Sequence, residues 1–353
     1  LNTGEEAIDW RLRLIDSATQ SLDLQTFLWK DDASGLQVLR HIYQAADRGV
    51  RVRILLDDTF TANHDEAILD IDHHPNIEFR IYNPFATRSN SMMVRQLLNL
   101  GDFSRVDHRM HNKVMVVDNY VAIVGGRNLA DEYFGNHDDA NFRDIEVLTA
   151  GPAVLLLSRQ FDDYWNSGWS FPVDRIITVK PAMSPEEYED WILTTVAHGL
   201  NEDPAVRAAA WIQTARAAVA GEVLVLGDAP ASQDPAAPEE LPNQLSQELV
   251  DRMDGANEEL ILVSAYLIPT PELEQAIEQA EDRGVRVRIL TNSLRSNNHV
   301  AAHSAYRHHV RRLVDHGAEV HEVRVFAKDR ALYMDEPVGD KHLGLHSKLL
   351  LID

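Results

Sequence analysis

The sequence of 353 residues contains no cysteine, only six lysines and no long uncharged apolar run. The lack of cysteine excludes disulfides and thiolate metal sites and leaves the redox compartment undecided. Because no segment has the roughly eighteen consecutive apolar residues of a membrane-spanning helix, no part of this sequence is predicted to cross a bilayer. The net charge of −23 argues against a general nucleic-acid binder, since such proteins contact phosphates through clustered Lys and Arg.

One segment departs from this acidic average. Between Arg80 and Lys113, six basic residues stand against two acids, which gives a local net charge of +4. The segment could attract an anionic substrate, or it could be a solvated loop with surplus arginine. Within it, the apolar run from Ser91 to Leu100 could lie on a bilayer, wall a lipid pocket or form an ordinary core helix.

The segment DRGVRVRIL occurs twice, at Asp47–Leu55 and at Asp282–Leu290. Each copy follows an amphipathic helical run, its glycine stands where a helix ends, and its alternating valines and arginines predict a strand. An apolar strand candidate precedes each helix, at Leu22–Trp29 and Glu259–Ile268. Two strand–helix–strand units so far apart predict a duplicated α/β domain with parallel crossovers.

A proline-rich stretch from Gly227 to Leu245 separates the two units and is typical of a linker. The acidic segment before it, 184–220, is predicted to be helical and suggests no chemistry. We therefore predict a first domain over residues 1–175, a helical connector and linker over 176–245, and a second domain over 246–353. Because the sequence stops after a strand-like segment, we expect the second domain to be incomplete.

A second repeated pattern has the residues for catalysis. The motif H-x-K-x-x-x-x-D occurs twice, formed first by His111, Lys113 and Asp118 and again by His346, Lys348 and Asp353. With this composition, about 0.04 matches per chain are expected by chance. The copies are also separated by 235 residues, the same spacing as the two DRGVRVRIL segments. The motif therefore belongs to the internal repeat.

The residues around the first copy predict a phosphate site. In a strand, His111 and Lys113 project from the same face. The pair Gly125-Gly126 allows another group to approach the backbone closely. Asn128 is placed to cap a helix, and the N-terminus of that helix could seat a phosphate.

The two acids of the motif admit two interpretations. Asp118-Asn119 predicts a tight turn between the strands of a hairpin, and Asp353 stands at the matching place in the second copy. We group Asp118 and Asp353 with the catalytic residues because they belong to the motif. A role as turn formers that brace the site is the alternative.

In the first copy, the pattern G-[GS]-x-N begins after six further residues. The motif and this pattern together are similar to the signature of the phospholipase D superfamily. Here Gly126 stands in the place of the commoner serine, and a second copy of G-[GS]-x-N is absent from this sequence. The segments NPFATRS, DFSRVDHRMHNK, VGGRNLADEYFG and FDDYWNSG resemble the C-type bacterial cardiolipin synthases. The resemblance implies a duplicated phospholipase D fold of the α/β class, with two mixed β-sheet domains flanked by helices and related by pseudo-two-fold symmetry.

The resemblance also implies that both histidines share one site. By analogy, His111 is the nucleophile that forms a covalent phosphatidyl-histidine and His346 is the general acid and base, although the sequence alone does not order the pair. Lys113 and Lys348 would neutralise the phosphate oxygens, and Asn128 would add a hydrogen bond.

The attacking histidine needs a partner on its other ring nitrogen to fix the tautomer. Glu146 is the first candidate and Asp144 the second, and on a single predicted strand the two would face the same side. Either could instead pair with Arg143 or with the connector. We group Glu146 with Gly126 and Asn128 as substrate-binding residues.

In function, the resemblance implies a phosphatidyltransferase that makes cardiolipin. The acceptor would be phosphatidylglycerol, and the donor phosphatidylethanolamine or a second phosphatidylglycerol. A hydrolytic phospholipase D is the alternative, and a nuclease of the superfamily is a further one, against which the acidic charge counts. Two intact His-x-Lys pairs argue against a lipid-binding scaffold without catalysis. We expect no metal or cofactor, no nucleic-acid partner, and a location at the bacterial inner membrane, either peripheral or anchored by a segment outside this sequence.

Overall fold

The computed structural model describes residues 1–89, 91–99, 108–200, 202–231, 244–326 and 341–353. The strands in the first half of the chain are β1 Ser21–Thr26, β2 Arg51–Asp57, β3 Ile77–Tyr82, β4 Val114–Val117, β5 Val121–Gly125, β6 Ala140–Arg143, β7 Glu146–Ala150 and β8 Ser170–Pro172. All except β6 form one mixed sheet in the order β7-β5-β4-β1-β2-β3-β8. Strands β1, β2 and β3 run parallel, and β4 runs antiparallel to β1.

Helices cover both faces of this sheet. The helices in the first half of the chain are α1 Gly4–Ser17, α2 Ala33–Asp47, α3 Asp65–Asp72, α4 Met92–Leu98, α5 Asp131–Phe134 and α6 Pro152–Trp165. Helices α1 and α2 bury apolar side chains such as Ile15 and Ile42 against one face of the sheet, and α6 packs Phe161 on the other. Alternate residues of the central strands therefore enter different cores, as their near-continuous apolar sequence requires.

A second unit repeats the central part of the first. Its strands are β9 Glu259–Ser264, β10 Arg286–Asn292, β11 Glu319–Val323, β12 His342–Leu345 and β13 Lys348–Ile352. The order β11-β10-β9-β13 matches β3-β2-β1-β4, with the same parallel and antiparallel pairs. Helices α9 Gln244–Asp254, α10 Pro271–Asp282 and α11 Val300–His316 complete this unit, and Ile277, Ile289 and Leu313 lie in its separate core.

The duplicated strand–helix–strand unit predicted from sequence is confirmed. Arg51 pairs with Ser21 in the first copy, and Arg286 pairs with Glu259 at the equivalent place in the second. The first strand of each unit is shorter than predicted. Strand β1 ends at Thr26 because the chain then turns toward the motif, where Phe27 contacts His111.

Two connecting helices, α7 Pro185–Thr194 and α8 Pro204–Ala217, pack on the first unit. Tyr188 and Ile192 of α7 enter its core, and Trp211 of α8 contacts Trp10 edge to face at 4.9 Å. The limits of the three predicted domains stay a prediction, and residues 232–243 of the proline-rich stretch lie outside the described residues. No helix in the described part of the chain is long and apolar enough to cross a membrane.

Strands β6 and β12 join the two units. They pair in parallel, one from each unit. Beyond β12, the backbone N–H of His346 donates to the carbonyl of Arg143 at 2.8 Å, and Ser347 donates to the same carbonyl. The second motif copy is therefore hydrogen-bonded directly to the first unit.

Candidate active site

The first motif copy lies at the start of β4. The backbone N–H of Met110 donates to the buried carboxylate of Asp57 at 2.9 Å, and Arg109 lies 3.3 Å from the same carboxylate. Because Asp57 ends β2, this contact fixes the segment that leads into the motif. The ammonium of Lys113 donates to the backbone carbonyl of His111 at 2.8 Å, which fixes the lysine side chain beside the backbone of the motif.

The second copy repeats this arrangement with an amide in place of the carboxylate. Asn292, the last residue of β10, accepts from the N–H of Leu345 at 2.8 Å and donates to its carbonyl at 2.7 Å. Lys348 donates to the carbonyl of His346 at 2.9 Å. Neither of these two contacts was predicted from the sequence. Asp57 and Asn292 nevertheless stand 235 residues apart, the repeat spacing, and that signal was available.

A carboxylate of the first unit contacts the histidine of the second. Asp144 Oδ2 lies 2.7 Å from His346 Nδ1, and both side chains are buried. The expectation that Glu146 is the partner of the attacking histidine is wrong. The second candidate, Asp144, does contact a histidine, but it is His346 and not His111. Glu146 instead accepts from Arg11 at 2.7 Å and lies 3.5 Å from Arg127.

The chain bends between these two acids. Strand β6 ends at Arg143 and β7 begins at Glu146, so Asp144 lies between the strands. The two acids therefore do not share one face of a single strand, as the sequence analysis assumed. Asp144 meets the histidine, and Glu146 neutralises two buried arginines.

The glycine pair is required by close packing around these acids. A Cβ atom at Gly126 would lie 2.3 Å from Oδ1 of Asp144, and one at Gly125 would lie 2.6 Å from the carbonyl oxygen of Ile145. Both distances are far shorter than a van der Waals contact. Gly126 therefore makes room for the carboxylate that contacts His346, and Gly125 makes room for the backbone that follows it.

Asn128 is buried but does not cap a helix, so that expectation is wrong. Helix α5 begins at Asp131 with Ala130 as its N-cap, and the N–H of Asp131 donates to Asp32. The expected phosphate seat at this helix is also wrong, because the helix has only four residues and two acids in its first turn. The amide of Asn128 instead contacts the hydroxyl of Tyr133 at 2.8 Å, and its other polar atom is buried without a partner in the described structure.

The two lysines and two histidines influence one another electrostatically. Desolvation and the positive charges of Lys113 and Lys348 lower the pKa of His111 well below its ordinary value. Burial and Lys348 lower the pKa of Lys113 to about 7. Burial also lowers the pKa of His346, whereas its hydrogen bond with Asp144 acts in the opposite direction. At neutral pH the His111 imidazole is therefore uncharged.

Aromatic rings surround the two histidines. Phe27 lies 4.7 Å from the ring of His111, and Lys113 lies 5.3 Å from the centre of the same phenyl ring. Tyr133 and Phe142 lie 5.2 and 5.5 Å from the ring of His346. These rings exclude water from part of each imidazole.

The acids of the motif lie away from the histidines. Asp118 is at the opposite end of β4 from Lys113, roughly 15 Å along the strand. It accepts hydrogen bonds from residues 19–21 at 2.8–2.9 Å and, like Asn119, has a positive φ. Asp353 accepts in the same way from Asn257 and Glu259. A bracing role accounts for these contacts, and the structure does not bring either acid to the histidines.

In the described part of the basic segment 80–113, four arginines are paired with acids. Arg88 pairs with Asp58 at 2.6 Å and also with Asp65, and Arg95 is fully buried and bonded to Asp58. Arg80 bonds to Glu78 and Arg109 to Asp57, while Arg105 lies outside the described residues. Both sequence interpretations of this charge, as substrate attraction and as a solvated loop, are wrong for Arg88 and Arg95.

Comparison with known proteins places this geometry in a family. The family model described as cardiolipin synthase, PLD-like domain, matches residues 12–165 and 249–353. The chain is 32% identical to cardiolipin synthase C of Escherichia coli (strain K12), over all of this chain and 75% of that protein. It is 30% identical to an uncharacterized protein of Helicobacter pylori (strain J99), over all of this chain and 70% of that protein. The chain therefore belongs to the cardiolipin synthase-like family of the phospholipase D superfamily.

A solved structure agrees at the level of the fold. The crystal structure of phosphatidylserine synthase from Haemophilus influenzae Rd KW20 covers the whole chain with a TM-score of 0.62 at 16% identity, and the chain covers 75% of it. The expectation of a duplicated phospholipase D fold, with mixed sheets flanked by helices, is confirmed.

Proposed function

We propose that the protein is a phosphatidyltransferase that makes cardiolipin through a covalent phosphatidyl-histidine. The contact between His346 and Asp144 carries the proposal, because it fixes the second motif copy against the first unit. The mutual electrostatic influence of His111 and His346 supports a single site with two imidazoles. The choice of a phospholipid substrate is supported by the family and by the relative named cardiolipin synthase C.

In the first step, a ring nitrogen of His111 attacks the phosphorus of the donor phospholipid. A nitrogen–phosphorus bond forms, the bond to the head-group oxygen breaks, and the leaving oxygen takes a proton from His346. The lowered pKa of His111 leaves its lone pair available at neutral pH. Asp144 supports the protonated state of His346, because a carboxylate on Nδ1 stabilises the imidazolium and orients the ring.

In the second step, the neutral imidazole of His346 takes the proton from a hydroxyl group of the acceptor. The acceptor oxygen attacks the phosphorus, the bond to His111 breaks, and a new phosphodiester is released. The acceptor in this proposal is the glycerol head group of phosphatidylglycerol. The donor is phosphatidylethanolamine or a second phosphatidylglycerol.

The remaining site residues stabilise the phosphoryl group. Lys113 and Lys348 offer two ammonium groups, which would neutralise the non-bridging oxygens once a phosphate is bound. The amide of Asn128 can be turned so that Tyr133 donates to its oxygen, and its NH₂ group is then left to donate to the phosphate. In this proposal Gly126 acts indirectly, by leaving room for the carboxylate of Asp144. Asp118 and Asp353 brace the strands that carry the motif.

The acceptor decides between a transferase and a hydrolase. If water replaced the lipid alcohol, the same two steps would release phosphatidic acid. Because its substrates are presented in bilayers, we place the protein at the bacterial inner membrane.

The test is incubation of the protein with phosphatidylglycerol vesicles, with and without phosphatidylethanolamine, followed by mass spectrometry of the lipids. We expect cardiolipin from the wild type and none from the His111→Ala variant. Phosphatidic acid as the only product would show a hydrolase instead. The absence of any lipid product would contradict the proposal and would direct the search to nucleic-acid substrates.

A further inference from the structure

Helix α4 is oriented with its polar face inward. Arg95 is fully buried and Asn99, four residues later, is 5% exposed. The apolar side chains of Met93, Leu97 and Leu98 are 72, 59 and 57% exposed. This is the reverse of the usual arrangement for a helix on the surface of a globular protein, where the apolar stripe faces the core.

Specific contacts hold the helix in this orientation. Arg95 donates to Thr61 at 2.8 Å and to the buried carboxylate of Asp58 at 3.2 Å. Asn99 bonds to both backbone groups of Thr87. Because these polar partners are buried, turning the helix over would leave Asp58 without one of its cations. The apolar side chains are therefore fixed on the outside.

Aromatic contacts lead from the candidate active site to an exposed side chain beside Thr61. Phe60 stands next to Thr61, the residue that holds Arg95, and is itself 40% exposed. The ring of Phe60 lies 5.4 Å from that of Phe27, and Phe27 lies 4.7 Å from the ring of His111. Apolar side chains thus lead from His111 out to the surface at Phe60.

We infer that the exposed face of α4, with Phe60, rests on the lipid bilayer from which the enzyme takes its substrate. This inference rests on the proposed function, which requires a lipid phosphate to reach His111 while its acyl chains stay in apolar surroundings. Charge also favours a bilayer over another part of the protein's surface. The only charged residue of α4 is the buried Arg95, so this face presents no acid to anionic lipids although the chain carries a net charge of −23. Exposed apolar side chains grouped on one face of a helix are typical of interaction surfaces.

The first test is flotation of the protein with vesicles of phosphatidylglycerol and phosphatidylcholine. We expect the Met93→Ser/Leu97→Ser variant to bind about tenfold less than the wild type. The matched control is Leu155→Ser/Leu156→Ser on α6, where the two leucines are 51 and 38% exposed, and it should bind like the wild type. Wild-type flotation of the Met93→Ser/Leu97→Ser variant would overturn the inference, and so would a wild type that does not bind vesicles.

Activity separates this inference from the proposed function. On vesicles the Met93→Ser/Leu97→Ser variant should lose activity in parallel with binding. On monomeric dihexanoyl phosphatidylglycerol it should react like the wild type, because no surface is needed. A wild type that fails to convert the soluble lipid would contradict the proposed function, and flotation would still decide the docking surface.

A labelling experiment avoids dependence on the folding of the double variant. Because the chain contains no cysteine, Met93→Cys can be labelled at a single place with an environment-sensitive fluorophore. Vesicles should shift the emission of the label at position 93 to the blue, and leave a label introduced by Leu155→Cys unchanged. Equal responses at both positions, or none at position 93, would refute the docking surface.

Discussion

The two motif copies have the same backbone arrangement but different surroundings. In both, a lysine donates to the carbonyl of its own histidine, at 2.8 Å for Lys113 and 2.9 Å for Lys348. His346 is 4% exposed and contacts Asp144, whereas His111 is exposed and its ring has no hydrogen-bond partner among the described residues. Burial lowers the pKa of both histidines, but only at His346 does a carboxylate oppose this shift. The repeat therefore duplicates the positions of the functional groups without duplicating the partner of the imidazole.

This difference matches a division of labour between the histidines. A nucleophile needs a free lone pair, and the lowered pKa of His111 provides it. A general acid needs a proton that is held until the leaving group departs, and the carboxylate beside His346 favours that state. Five measurements test this division of labour.

The largest expected effect is the loss of either histidine. His111→Ala and His346→Ala should each reduce transfer from a natural phospholipid by about 10³-fold. With a p-nitrophenyl phosphodiester of diacylglycerol, whose leaving group needs no proton, His346→Ala should keep much more of its first-step rate than His111→Ala. Release of p-nitrophenol measures that rate. The reverse ranking would exchange the two roles.

The two neighbouring acids should respond in different ways. Asp144→Asn should lower kcat about 100-fold, because His346 loses the carboxylate that supports its charged state. Glu146→Gln should instead destabilise the fold by about 3 kcal/mol, since Arg11 and Arg127 lose a buried anion. Kinetics at a temperature where both variants are folded, together with denaturant unfolding, measures the two effects. A normal kcat for Asp144→Asn would show that the contact with His346 is only structural.

The pH dependence of kcat/KM tests the protonation state of Lys113. Since burial and Lys348 lower its pKa to about 7, the free enzyme loses this charge as the pH rises above about 7. We expect kcat/KM to fall by about tenfold per unit on that side, as for a single required proton. In Lys113→Arg, which stays charged, the alkaline limb should disappear although the rate is lower throughout. If the alkaline limb is unchanged in this variant, the group that titrates is another one, such as Lys348.

Gly126→Ala should cause a smaller loss, about tenfold in kcat, by displacing the carboxylate of Asp144. Its matched control is Gly221→Ala, where an added Cβ would meet nothing within 4 Å. The two variants are compared by steady-state kinetics and thermal unfolding. Full activity of Gly126→Ala would show that catalysis does not depend on the position of the Asp144 carboxylate.

The smallest expected effect on chemistry is that of Asp118→Asn. Burial alone would raise the pKa of Asp118, but hydrogen bonds from Ser21, Gln20 and Thr19 outweigh it and lower the pKa. The carboxylate thus adds stability above its unfolded pKa of about 4, and this is lost as the pH falls through the lower folded value. We expect Asp118→Asn to cost about 1–2 kcal/mol in the free energy of unfolding at pH 7, with kcat within about twofold of the wild type. A large loss of kcat without loss of stability would restore Asp118 to the catalytic residues.

The error at Glu146 shows where prediction from the sequence failed. Asp144 and Glu146 are both acids and stand two residues apart, so local sequence offers no means of choosing between them. The choice depends on the bend between β6 and β7 and on Arg11, which lies 135 residues away from Glu146. The failed cap at Asn128 has a similar origin, because Asp32 from a distant loop supplies the acceptor at the start of α5.

The repeated units and the motif residues can be identified from the amino-acid sequence alone. These rest on local rules, since alternation places His111 and Lys113 on one face, and a letter-for-letter repeat builds the same strand twice. Only the tertiary structure decided that Asp144 meets His346 across 202 residues and that α4 turns its arginine inward. Both depend on which distant charges become buried together, and burial makes an unpaired charge too costly to leave in place. Local sequence states which groups are present, and packing decides which of them are paired.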